Sequence, residues 1–95
     1  GGAVADAIGR RLRRLAEKVQ VLSVTHAPQV AARATSHFVI TKQQLEAAGE
    51  GRTATQVAAI SQTARREEIA RMLAGAQITD EARAAAQQLI DQSAA

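Results

Sequence analysis

Seven consecutive residues, VQVLSVT at 19–25, constrain this chain more than any other stretch, because they are nearly all β-branched or apolar with little alternation. A strand covered on one face alternates apolar and polar residues, whereas one covered on both faces reads as a continuous run. The segment predicts a strand of a parallel sheet flanked by helices. Such a strand needs hydrogen-bonded neighbours on both edges and helices above and below. The 95 residues supply too few elements for that cover. The sheet is therefore expected to be incomplete, with its neighbouring strands outside the sequence.

The other elements follow from periodicity and punctuation. Residues 2–17 read as an amphipathic helix with Val4, Ile8, Leu12 and Leu15 on one side, joined by Ala7 and Ala16. Gly9 costs that helix about 1 kcal/mol relative to Ala and is read as permitting close packing. Pro28 opens a short helix over 28–35 with Val30, Ala31 and Ala34 inward. Residues 37–42 predict a second strand, with Phe38 and Ile40 on one face and Val39 on the other. The polar stretch Gln43 to Arg52, with Gly49 and Gly51, reads as a mobile hairpin loop, and 53–60 as a third strand antiparallel to the second. Ser61 or Thr63 can cap a helix running to Ala74, closed by Gly75, with Ile69, Met72 and Leu73 as its buried stripe. On that helix Glu67 precedes Arg71 by four residues, a favourable spacing for an ion pair. Thr79 caps a last helix with Asp80 and Glu81 in its first turn and Ala82, Ala86, Leu89 and Ile90 facing inward, while 93–95 are expected to fray. The predicted order is α-β-α-β-β-α-α, an α/β class with no internal repeat.

Composition narrows the function classes. Apolar residues make up 46% and charged residues 22%, a balance suited to folding rather than disorder. With no Cys, disulfide frameworks, thiolate zinc sites and thiol nucleophiles are excluded. Phe38 is the sole aromatic residue, which excludes a platform that stacks bases on several rings. No apolar run approaches the roughly 20 residues that span a bilayer, and no secretory signal is present. A reducing cytoplasm without membrane contact fits this pattern. The chain opens Gly1-Gly2-Ala3 and its one Met is Met72, so its beginning reads as an excision point.

Few residues are placed to do chemistry. His26 follows the apolar run at what should be the carboxyl end of a strand, the edge where open α/β sheets bind ligands. A neutral imidazole there can give or take one hydrogen bond to a phosphate oxygen or a water; the plainer alternative is a His satisfied by local backbone. His37 reads as a surface or packing residue. Gly1 and Gly2 at a helix start could receive an anion or simply be a flexible end. Arg10, Arg11, Arg13, Arg14 and Lys18 could meet a phosphate backbone, or form a solvated face partly neutralised by Asp6 and Glu17. Glu67 and Glu68 are adjacent on a helix and diverge, so they form no acid/base dyad. There is no GxxxxGK[ST] loop, no GxGxxG and no metal-ligand cluster.

The residues VLSVTHAPQVAARATSHFVITK resemble the switch-histidine segment of the RecN family, bacterial DNA-repair ATPases related to the SMC proteins. GGAVADAIGRRL is similar to the end of the family's D-loop and the helix after it, and REEIARMLAG with ITDEARAAAQQLI to its C-terminal signature. The resemblance spans essentially the whole chain. It implies the C-terminal part of an ABC-type (P-loop-type) ATPase head, of which two copies sandwich two ATP molecules during double-strand break repair and recombination. By position, His26 would be the switch histidine that contacts the γ-phosphate and the attacking water. Gly1 and Gly2 would end the loop that crosses the head dimer towards the partner's nucleotide. ATP and Mg²⁺ belong to the complete protein. Its Walker A lysine, signature motif and Walker B carboxylates would all lie before Gly1, in the N-terminal part of the same head, so the chain alone is expected to neither bind ATP tightly nor hydrolyse it. DNA and a second head are the implied partners, and the bacterial nucleoid the implied setting. The other reading the residues leave open is a self-standing basic α/β module that binds DNA or an acidic protein through the Arg10–Lys18 face.

Overall fold

A computed structural model of the chain describes residues 1–45 and 51–94. It contains four helices and one two-stranded ribbon: α1 (Gly2–Leu15), α2 (Pro28–Ala31), β1 (Phe38–Leu45), β2 (Arg52–Ala59), α3 (Gln62–Ala74) and α4 (Asp80–Ala94). The class is mixed α/β, but the order is α-α-β-β-α-α.

The missing element is the strand expected at 19–25. These residues run irregularly, and Leu22 and Val24 are 85% and 84% exposed. Backbone N–H and C=O groups settle into a ladder only where a second strand presents partners. Among the described residues, β1 and β2 pair only with each other, so the apolar run has none. That pairing is antiparallel, as expected, with Phe38 opposite Ala59 and Leu45 opposite Arg52. The ribbon is longer than its apolar residues suggest: Gln43 to Leu45 and Arg52, expected in the loop, belong to the strands. Polar side chains are tolerated there because both faces of that end are open to water. The remainder of the expected loop, 46–50, lies outside the described residues.

The core sits where α2, α3 and α4 meet. Ala31, Ala32, Ile69, Ala70, Ala82 and Ala86 are buried together, with Met72, Ile78, Leu89 and Ile90 packed against them. Ser61 Oγ accepts from Ala64 N at 3.2 Å to cap α3, and Thr79 Oγ1 accepts from Ala82 N at 3.1 Å to cap α4. Gly75 ends α3 with φ 81°, a left-handed conformation that only glycine adopts cheaply. Leu73, expected inward, is half-exposed on the far side of α3. Glu67 does not pair with Arg71. It reaches Arg83 of α4 at 2.9 Å, and Arg71 pairs instead with Glu68, so the two carboxylates diverge to different partners. The α4 terminus departs from the expected fraying: helix continues to Ala94, and Ser93 is buried with its Oγ donating to Leu89 O at 2.8 Å.

Among the described residues, α1 attaches to this core chiefly through α2. A Cβ on Gly9 would lie 2.9 Å from Gln29 O and 3.3 Å from Val30 Cα, so the missing side chain is what lets the two helices touch. Asp6 reinforces the contact by bridging Arg10 at 3.3 Å and Arg33 at 3.2 Å. The other side of α1 stays open: Val4, Ile8 and Leu15 are all about half-exposed or more.

Candidate functional site

The short segment around His26 is built by three local devices. Thr25 Oγ1 accepts from Ala27 N at 3.0 Å, closing the turn over the histidine. Pro28 then begins α2, whose single turn is closed by Ala31 N to Ala27 O at 3.1 Å and Ala32 N to Pro28 O at 2.9 Å. His26 stands just before this turn with its ring exposed. It stands at the junction between the irregular apolar run and α2, exposed rather than set in the core.

α2 is too short to hold itself, since one helical turn does not repay the ordering of its residues. It is gripped from both sides. Gly9 of α1 lies against Gln29 and Val30. From the other side, the Arg65 guanidinium of α3 reaches the carboxyl end of α2, and its Nη2 donates to Ala31 O at 3.1 Å, Ala32 O at 2.8 Å and Ala34 O at 2.5 Å. The last carbonyls of a helix lack intrahelical partners and carry partial negative charge. Tightening of the chain into three-residue turns at Arg33 and Ala34 ends α2 at Ala31, short of the expected 35. Arg65 is buried to 6% exposure, and this burial lowers its pKa from the ordinary guanidinium value.

Gly1 and Gly2 are exposed at the start of α1, where Gly1 is the N-cap and Ala5 N donates to Gly1 O at 3.2 Å. A Cβ on Gly2 would lie 3.4 Å from Gln29 Nε2. The fold therefore sets the chain start beside the helix that follows His26. Chain positions more than twenty residues apart meet on one α1–α2 unit.

Curated relatives of this chain carry the name DNA repair protein RecN. The chain is 46% identical over 92 residues to DNA repair protein RecN of Xylella fastidiosa, covering 97% of this chain. It is 43% identical over 90 residues to DNA repair protein RecN of Rickettsia felis and 40% identical over 90 residues to that of Halalkalibacterium halodurans, covering 95% in each case. The chain belongs to the RecN family. The alignments take in 16%, 16% and 15% of those relatives, so this chain spans about a sixth of the length of the curated relatives it matches. No family model matches it.

On this RecN-family chain the basic residues of α1 divide into two sets. Arg10 is engaged with Asp6. Arg11, Arg14 and Lys18 surround a shallow open hollow of about 470 Å³ floored by Leu15, and no ion pair holds them among the described residues. Asp6, expected to neutralise the basic face in part, does so at Arg10 and also bridges Arg33. His37 is a packing residue: its Nδ1 is buried without a hydrogen-bond partner, and desolvation, then the nearby Arg65, lower its pKa against a smaller upward pull from Glu68. Arg65 escapes sequence reasoning altogether. In the string RREE it is indistinguishable from a solvated helix charge, and only the tertiary approach of α2 reveals its task. Among the described residues no three His, Cys, Asp or Glu side chains converge as a metal site, and no helix is long and apolar enough to cross a membrane.

Proposed function

We propose that this chain is the part of a RecN-type ATPase head that presents His26 to the γ-phosphate of ATP and its attacking water, in a protein that acts in DNA repair and recombination. The observation that carries the reading is the exposed imidazole at the turn into α2, a turn braced from both sides, with no hydrogen bond to the ring among the described residues. The names of the relatives support the DNA-repair setting. An imidazole so placed can hold a water by one ring nitrogen or donate to a phosphate oxygen, work worth about a hundredfold or more in rate when the geometry is right. Gly1 and Gly2, beside the same α2, are the proposed end of the loop that faces the second head's nucleotide. Magnesium and the remaining phosphate contacts are assigned to the N-terminal part of the head, as the family resemblance implies. The bacterial cytoplasm, at the nucleoid, is the proposed location.

The test uses the full-length protein. His26→Ala should cut DNA-stimulated ATP turnover about a hundredfold while ATP binding survives. Undiminished turnover would remove the proposed role. The isolated chain should show no turnover, and mixing it with the N-terminal portion should restore some.

The hollow on α1 favours a second reading, contact with DNA or an acidic partner through Arg11, Arg14 and Lys18, with Arg10 as a marginal member because Asp6 already holds it. Each phosphate neutralised on duplex DNA contributes about 0.9 to the slope of log affinity against log salt. Neutralising all three residues to Gln should therefore flatten that slope by about 3. An unchanged slope would exclude the contact.

A further inference from the structure

We infer that Arg65 is a positioning residue for His26, fixing the histidine turn by holding the carboxyl end of α2 with its guanidinium. The inference rests on the proposed role of His26 and adds to it a residue on a different helix. Three carbonyls from a stretch of four residues converge on one nitrogen, at 2.5–3.1 Å, from a side chain that is almost wholly buried. A guanidinium buried merely to fill space would cost stability for nothing. Here it supplies charge-assisted donors to Ala32 O and Ala34 O and a second donor to Ala31 O, which already accepts from Ala34 N. Gln62, one turn earlier on α3, steadies the same guanidinium from Oε1 at 3.4 Å. The object being held is a four-residue helix that begins two residues after His26 and has no stability of its own. Its opposite side rests on Gly9, where backbone meets backbone without an intervening side chain. With one wall fixed by α1, the freedom left to the His26 turn is the freedom that Arg65 removes.

The experiment is a double-mutant cycle in the full-length protein, with Arg65→Met, His26→Ala and the pair, each checked for an intact thermal transition. Arg65→Met should lower kcat about tenfold to a hundredfold, the scale of displacing a reacting group by about 1 Å, and leave KM for ATP nearly unchanged. In the His26→Ala background the same change should have no further effect, because a residue that acts through the imidazole has nothing left to act on. An equal loss in both backgrounds, or none in either, overturns the inference. Full activity of His26→Ala alone overturns the underlying reading of the histidine instead. Should Arg65→Met fail to fold, Arg65→Lys is judged by the same cycle: a smaller kcat loss confined to the His26 background supports the positioning role, and an additive or absent loss defeats it.

Discussion

At Ser61 and Thr79 a single hydroxyl oxygen satisfies an otherwise orphaned N–H at the start of a helix. Replacing either by Ala should lower stability by about 1 kcal/mol, read from the shift of a denaturation midpoint. Among the described residues Ile69 is the one large side chain buried completely, and Ile69→Ala should cost about 2–5 kcal/mol, the loss of its transfer energy plus the cavity left behind. His37 gives stability a pH dependence. Its folded pKa lies below the ordinary 6.5, chiefly from desolvation and then from Arg65. The unfolded chain therefore binds the proton more readily, and stability must fall as pH drops through about 6.5 towards the lower folded value. A melting series across that range should show the decline, and His37→Asn should flatten it; an identical slope in the variant would assign the effect to other groups.

The elements were legible to different degrees, and the differences have physical causes. The two long C-terminal helices could be read because their caps and their closing glycine act locally: Ser61, Thr79 and Gly75 each do their work within four residues. The ribbon's pairing was legible from the apolar run at Phe38–Ile40, but its length was not, since hydrogen bonding to a partner extended it across polar residues. The run at 19–25 shows the limit of pattern reading. Its composition suits a doubly covered strand, yet a strand is a relation between chains of atoms, and no described segment lies alongside to complete it. In the candidate site, His26 was expected at the end of a strand that the described residues do not form, and Arg65 could not be read at all. Nor could the meeting of α1 with α2, although Gly9 hinted at a close approach. Gly9→Leu should separate those helices: its first side-chain carbon would meet Gln29 O at 2.9 Å. A loss of about 1–3 kcal/mol is expected despite leucine's better helix propensity, measured by chemical denaturation.

Taken whole, the molecule is drawn out. Its radius of gyration is 15.3 Å, against about 12 Å for a compact domain of this length. Its accessible surface is 7107 Å², where a compact monomer of the same mass exposes about 5,200 Å². The excess is larger than the roughly 800 Å² that one partner contributes to a standard interface, and it includes Val4, Ile8, Leu15, Leu22 and Val24. If the proposed head reading is right, adding its N-terminal portion should raise the thermal midpoint of this chain and suppress its self-association, both measurable by scattering during a melt. Another consequence lies in the order of attachment. The outermost helix, α4, is tied to α3 by Arg83 and Glu67, and α3 to the histidine turn by Arg65 and the alanines beneath it. Together with Ala82 and Ala86, which share the core with Ala31 and Ala32, these links join the last helix to the end of the short helix that follows the imidazole.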